Sequence, residues 1–494
     1  MRTVVEAGQH RHHGVVGGLD QDLEVLADVR IGNDPRLPDE PFLAADEVSI
    51  GGGISLSGQE LRLGRIRAVR PRIELVQFAD GSWNLPPGIT RPAKGGGGLK
   101  VRVGEVVLQQ GSFDLAGRKM ELDVALRDFT GNLASIGEDH YQGALASRQM
   151  TVRLPDAEPI VSELATRFHM EPGTGIVFET VRLKGSFGSL IAAGAIETGK
   201  TGRTTLVASG DVSITEIQRI FHSKLGFVAD GRLEARLDIP AGGAFRIAGH
   251  LSMPQLDAKG FLLENVEAAV DAGPDELVAR IERGTYAGGQ TTGVVRIASL
   301  ADKPRVFTIV LENRGFELER FFADLDLPGI GLSSRADLTL ALRFPEEEGI
   351  ERADGGGMLE LRPGPAASIV RGRRGLPTGG GGPLSVVDGR IGLEGVTLRF
   401  PQSEIALTGG LRIGQWKPDF DFALKARDLS EVDAFYQNIV AATGGTLLGP
   451  ALSANGVSWH STQPLPTSSP VTPTTHSTSS FTTAGGRRRL RARA

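Results

Sequence analysis

The segment Gly194-Ala195-Ile196-Glu197-Thr198-Gly199-Lys200-Thr201 fits the phosphate-binding pattern G-x-x-x-x-G-K-[ST] at every fixed position. In that chemistry the glycines let backbone N–H groups approach a phosphate and the lysine neutralises its charge. The loop must follow an apolar strand, and a helix must begin at the lysine. Here Gly202, Arg203, Thr204, Thr205, Leu206 and Val207 follow, a glycine and then β-branched residues. The spacing therefore predicts a hairpin turn between two strands; a nucleotide hydrolase would need Lys200 at a helix start. His10, His12 and His13 are clustered imidazoles that could hold a transition metal, but no carboxylate is fixed beside them and a polar terminus offers no preorganised geometry. His140, His169, His222 and His250 have no ligand spacing, and no G-x-S-x-G elbow stands out. The absence of cysteine excludes disulfides, thiolate zinc sites and cysteine nucleophiles. Arg487, Arg488, Arg489, Arg491 and Arg493 could attract phosphate, yet they lack interleaved aromatics and read as a solubilising tail. The expectation is a protein without catalytic residues, metal or cofactor, and one that does not bind nucleic acid.

The elements that would position any site come from the hydropathy pattern. The apolar fraction is 40% and the charged fraction 23%, compatible with a folded chain, while 67 Gly against 6 Met disfavour a helical one. A net charge of −5 gives no general pull toward nucleic acid. Period two dominates. In Asp419 to Ala426, Phe420, Phe422 and Leu424 alternate with polar or small residues, which puts the apolar side chains on one face of an extended strand. Met120, Leu122, Val124 and Leu126 repeat the pattern, as do Leu233, Leu237 and Ile239, and Leu338, Leu340 and Leu342. Shorter copies lie at Val396, Leu398 and Phe400 and at Val181 and Leu183. Turn signals such as Asp80-Gly81, Gly288-Gly289, Asp388-Gly389 and Gly409-Gly410 punctuate the runs, which predicts hairpins and meanders. The long helices and continuous apolar strands that a parallel sheet needs are missing.

A second layer of order is an internal repeat. Ile214 to Ile239 and Phe316 to Phe344 each read as a short helix, a glycine-containing bend and an alternating strand. Ile217, Ile220 and Phe221 match Leu318, Phe321 and Phe322 as one helix face. A weaker copy starts at Leu429. Reiterated sheet-plus-helix units stack into elongated bodies. The organisation expected is a polar segment over 1–28, an amino-terminal β region over 29–92, and a repetitive β region over 93–455. Short helices fall near 214–222, 316–325 and 429–440, and a Ser/Thr/Pro/Arg-rich tail over 456–494 cannot bury enough apolar surface to fold. The runs Gly95 to Gly98 and Gly379 to Gly382 read as flexible breaks or long hairpin loops, and the region from Gly355 to Pro383 is too rich in Gly, Pro and Arg to be well ordered throughout. No stretch of about 18 apolar residues could span a bilayer as a helix, and no export signal is apparent at the start.

The stretch Ile31-Gly32-Asn33-Asp34-Pro35 with Pro41-Phe42-Leu43, then Leu61-Arg62-Leu63-Gly64-Arg65-Ile66, Pro71-Arg72-Ile73-Glu74-Leu75 and Asp80-Gly81-Ser82-Trp83-Asn84-Leu85, resembles the start of AsmA-like and TamB-like envelope proteins. The likeness is strongest over residues 29 to 87 and looser, as β repeats, to about 455. It implies an inner-membrane-associated, periplasm-facing protein of the cell envelope whose sheet curls into an apolar trough for phospholipid and serves outer-membrane biogenesis. In the TamB branch, the translocation and assembly module, it also implies an outer-membrane β-barrel partner. The chain departs from that family in lacking the amino-terminal membrane helix and the carboxy-terminal domain of the TamB branch, which a truncated or misannotated gene product would explain.

The fold class expected is thus all-β with a few short helices: an elongated, curled antiparallel sheet of repeated hairpins forming an apolar groove. Candidate groove residues are the alternating ones above, Met120, Leu122, Val124, Leu126, Leu233, Leu237, Ile239, Leu338, Leu340, Leu342, Phe420, Phe422 and Leu424. An acyl chain sheltered there would gain about 0.8 kcal/mol per buried CH₂. The same alternation equally fits faces packed on each other as a closed core, in which case the repeats form a structural scaffold or adhesin.

Overall fold

The computed structural model describes residues 5–9, 24–37, 39–57, 60–85, 100–118, 121–137, 140–171, 175–197, 202–241, 243–299, 304–324, 331–365 and 369–428 apart from 371–372 and 414–417, with 430–431, 434–435, 437–438, 477–478 and 492–493. Nearly all of it is strand, so the all-β expectation holds. The chain divides into two compact units, Met1–His222 with Arg232–Ile247, and Ser223–Gly231 with Ala248–Ala494.

The first unit starts with β1 (Val5–Gln9), β2 (Glu24–Ile31), β3 (Leu43–Ser57) and β4 (Glu60–Val69), each antiparallel to the next. The segment 1–28 therefore contributes to the sheet, while His10, His12 and His13 lie outside the described residues. At Arg70, whose φ is +50°, and Pro71 the chain kinks into β5 (Arg72–Gln77). Both β4 and β5 then run parallel to the long β6 (Lys100–Gly117). From there the sheet is an antiparallel meander: β7 (Leu122–Gly137), β8 (His140–Arg153), β9 (Ile160–Glu171), β10 (Gly175–Gly185), β11 (Gly188–Glu197) and β12 (Thr204–Ser213). Helix α1 (Ile214–Ile220) follows, and after the short β13 (Phe227–Val228) of the second unit comes β14 (Asp230–Ile239), which pairs with β12.

Residues between Asn33 and Asn84 form one pinned corner. Asn84, with no solvent exposure, accepts from the Val76 N–H through Oδ1 and donates through Nδ2 to Asn33 Oδ1 and the Glu74 carbonyl. Arg36 bonds Asp34 and Ser82 and lies 3.5 Å over the Phe78 ring. The hydrogen bond from Arg36 holds the Asp34 carboxyl below its ordinary range. Asp80-Gly81 turns the chain, Gly81 at φ +84°, and Trp83 bridges back to Gln77. These bonds fix the entry of the sheet.

The second unit carries β15 (Arg246–Ala258), β16 (Phe261–Ala272), β17 (Glu276–Tyr286), β18 (Gly289–Ala298) and β19 (Val306–Glu317). Helix α2 (Leu318–Asp324) leads to β20 (Leu332–Pro345) and β21 (Asp354–Pro363). Short strands β22 (Ile369–Val370), β23 (Arg373–Arg374) and β24 (Leu376–Pro377) precede β25 (Gly379–Val387), β26 (Arg390–Gly392), β27 (Val396–Arg399), β28 (Ser403–Arg412) and β29 (Pro418–Ala426). β16 to β21 form an antiparallel meander, β25 pairs with β21, and β26 and β27 join β25 to β28.

One expectation is corrected here. Gly379 to Gly382 is no loop but the first half of β25, and Gly355 to Gly357 opens β21. A Cβ on Gly380 would lie 2.1 Å from the Thr397 carbonyl oxygen and one on Gly381 2.0 Å from that of Leu359, with φ of +107° and +124°. The glycines exist because neighbouring strands approach too closely for any side chain. Gly95 to Gly98 lie outside the described residues, as does the tail apart from Ser477–Thr478 and Ala492–Arg493, which pair with β29.

The internal repeat has a structural meaning. Helix α1 leaves the end of β12 and is tied back to the β8–β9 turn: the Glu158 N–H donates to the Ile220 carbonyl at 2.8 Å, and Arg219 pairs with Glu158. It therefore crosses the ends of β9 to β12 and buries Ile220. Helix α2 does the same from β19 to β16, with Phe321 stacked on Phe261 at 5.9 Å and the Tyr286 hydroxyl donating to Asp324 at 2.8 Å. Burial beside that carboxylate pushes the Tyr286 hydroxyl well above its ordinary pKa. The third copy is described in part; Phe435 packs 5.6 Å from Phe400.

Candidate functional site: an open apolar face

Cross-strand register assembles one continuous apolar face from strands that the sequence shows separately. In the first unit one ladder runs Leu133, Gly143, Phe168, Phe178, Gly194, Leu206 across six strands. The next on the same face runs Leu108, Gly131, Leu145, Thr166, Val181, Ala192, Ala208, and a third runs Phe129, Ser147, Leu164, Leu183, Leu190, Gly210. Alternation within each strand keeps all three on one side. Phe168 and Phe178 meet at 6.3 Å, confirming the shared side, and Phe168 lies on Gly143, where a Cβ would come within 2.7 Å of its ring.

Among the described residues this face is closed at its β12 end and beside β6. Val212 and Ile220 are buried where α1 crosses the strand ends, and Phe129, 1% exposed, is buried over Gly111 of β6. Away from α1 the large side chains Leu133, Leu145, Leu164, Phe168, Phe178, Leu183, Leu190 and Leu206 all remain partly open to solvent. The second unit behaves differently. Phe307 and Phe344 stack at 5.5 Å within a cluster with Ile309, Leu342 and Val386, closed over by the loop residues Leu225, Ala353 and Ile413. The same period-two pattern thus gives an open apolar face in one unit and a dry core in the other.

Of the alternating residues expected to line a groove, Leu122 and Val124 are half-buried on β7 and Leu126 is buried near its bend; Met120 lies outside the described residues. Leu233, Leu237 and Ile239 are half-buried on β14, flanked by exposed Arg232, Glu234 and Arg236. Leu338 and Leu340 are half-buried on β20, whereas Leu342 faces the closed cluster. Phe420, Phe422 and Leu424 lie on β29, opposite Gly409, Leu407 and Ile405, but their side chains fall outside the described residues. The centre of the open face, Leu145, Phe168, Phe178 and Leu190, was not singled out by sequence reasoning. Ser162 and Thr166 dilute the alternation of β9, and a bulge at Glu179 inserts an extra residue between Phe178 and Val181, which breaks the period of β10.

The phosphate-loop pattern resolves as expected. Gly194 to Glu197 end β11, Thr204 opposes Ile196 at the start of β12, and the Glu197 N–H donates to the Arg203 carbonyl at 2.9 Å. Residues 198–201 lie outside the described residues, but the strands on either side pair antiparallel, so the connection is a hairpin. Among the described residues no group of His, Asp and Glu could hold a metal ion, and no helix is long and apolar enough to cross a membrane. No protein-family model matches the chain, and neither a curated protein nor a solved structure does. What the fold and the face define is a class: an all-β repeat of hairpins with helical end caps.

Proposed function

We propose that the first unit shelters phospholipid acyl chains on its open apolar face, and that the chain acts as a non-enzymatic envelope protein in inter-membrane lipid transport and outer-membrane biogenesis. The observation that carries the reading is the contrast between a continuous face of half-exposed Leu and Phe in the first unit and the sealed cluster of the second. A chain that can bury Phe307 and Phe344 completely leaves Phe168, Phe178 and Leu183 only half-buried. Acyl chains are the ligand that such a face suits, because they need apolar area and no directional bonds. Head groups would stay in water at the rim. The AsmA-like and TamB-like pattern supports the same reading, and with it a periplasm-facing place beside the inner membrane and an outer-membrane β-barrel as assembly partner.

The test is to purify the full chain from membranes and from detergent-free lysate and to identify co-purified lipid by mass spectrometry. Stoichiometric phospholipid that is displaced by Leu183→Asp supports the proposal. Lipid-free protein that also fails to take up fluorescent phospholipid from vesicles removes it, and leaves a β-repeat scaffold or adhesin, a reading that the closed core of the second unit favours for that unit.

A further inference from the structure

The opposite face of the same sheet carries a second feature. Two neighbouring ladders, Asn132, Ala144, Arg167, Thr180 and Thr130, Ala146, Ala165, Arg182, line a trough of about 500 Å³, with Gln109 beside them. Leu108, Gly131, Leu145 and Thr166 of the middle apolar ladder lie between these two and also border the trough, but Phe168, Phe178, Leu164 and Leu183 of the apolar ladders on either side do not, which places it on the side away from the apolar side chains. Its floor is made small by Ala144, Ala146 and Ala165. It crosses β6 to β10, four interstrand spacings of about 4.8 Å, so it is about 19 Å long. Both arginines stand at the β9–β10 end, and neutral donors stand at the β6–β7 end.

Charge sets this trough apart. No Asp or Glu lines it. Several strand arginines of the unit are matched across the sheet, among them Arg65 with Glu105 at 2.5 Å, Arg70 with Asp46 at 2.6 Å and Arg127 with Asp114 at 2.5 Å. Arg167 and Arg182 make no ion pair with the described residues. Arg167 opposes Thr180 and Arg182 opposes Ala165, so they are diagonal neighbours on one face, with Cα atoms about 7–8 Å apart. Two like charges so placed repel each other unless an anion lies between them, and guanidinium forks fit a phosphate bidentately.

We infer that this trough is an anion site that holds a phosphate group between Arg167 and Arg182, with the remainder of an elongated ligand lying over the alanine floor toward Asn132 and Gln109. The site is independent of the lipid reading, since it stands on the other face, and either can fail alone. Phosphate could reach it free in solution or as a phospholipid head group.

The experiment titrates the full chain with inorganic phosphate by calorimetry and, separately, floats it with vesicles of phosphatidylglycerol or of phosphatidylcholine. The variants are R167Q/R182Q and, as a control on the same face outside the trough, R127Q. All three side chains are exposed, so the fold is retained, which circular dichroism checks. The expected result is binding to phosphate or to phosphatidylglycerol vesicles that weakens at least tenfold in the double variant and is kept in R127Q. Binding to phosphate alone names a soluble ligand; binding to phosphatidylglycerol but not phosphatidylcholine names a head group. Absence of both kinds of binding, or equal binding by the double variant, overturns the inference.

Discussion

Placing a carboxylate on the open face separates an accessible lipid path from a packed core. Phe168→Asp and Leu183→Asp lie on adjoining strands of the first unit, at positions only half-buried. Full burial of such a side chain stabilises by about 1.5–3 kcal/mol. Losing half of that costs roughly 1 kcal/mol, and the new carboxylate reaches water from a partly exposed position, so the fold survives. An acyl chain lying across either position must withdraw about four or five CH₂ groups from the charge, at about 0.8 kcal/mol each. The loss is then about 3–4 kcal/mol, or roughly two to three decades in lipid affinity. The assay pairs urea unfolding of each variant with uptake of fluorescent phospholipid from vesicles. Unfolding midpoints that collapse by several kcal/mol would show that Phe168 and Leu183 are packed against protein, and unchanged lipid uptake in a folded variant would show that this face carries no acyl chain. Either result refutes the reasoning.

Other positions give sharper structural tests. Phe344→Ala empties one half of the sealed Phe307–Phe344 stack and is expected to cost about 3–5 kcal/mol, read as a lowered urea midpoint and lost hydrogen-exchange protection confined to the second unit. Gly381→Ala sets a Cβ 2.0 Å from the Leu359 carbonyl oxygen and should open the β21–β25 pairing, whereas Gly32→Ala, with nothing within 4 Å, should be silent in the same exchange experiment. Asn84→Ala strands the Val76 N–H and the Glu74 carbonyl and is expected to destabilise the first unit by about 2–4 kcal/mol in thermal unfolding. Burial, with Glu40 and Asp114 nearby, raises the Glu74 carboxyl. Its ionisation is therefore easier unfolded, and stability is lost as pH rises from the unfolded value through the folded one. Glu74→Gln should therefore stabilise the chain at neutral pH and make no difference in acid, where the carboxyl is protonated both folded and unfolded, as paired melts would read.

The sequence by itself determined the local character of this protein. Period-two runs such as Leu233 to Ile239 and Leu338 to Phe344 become one-sided strands because side chains alternate on any extended backbone, whatever surrounds it. The short helices at Ile214 and Leu318 and the hairpin across Lys200 were legible for the same reason, that their signals lie within a few residues. Gly379 to Gly382 was not legible, since what forbids a side chain there is the carbonyls of Leu359 and Thr397, on other strands. Nor does alternation say what an apolar face meets. Leu342 and Leu183 share the same pattern, yet one is covered by Ala353 and Val386 and the other stays partly exposed. The register that lines up Phe168 with Phe178, and Arg167 with Arg182 behind them, is set by bulges and by pairing between distant segments. Burial and charge neighbourhood are properties of that assembled sheet, so only the tertiary structure decided which apolar face is open and which arginines lack a carboxylate.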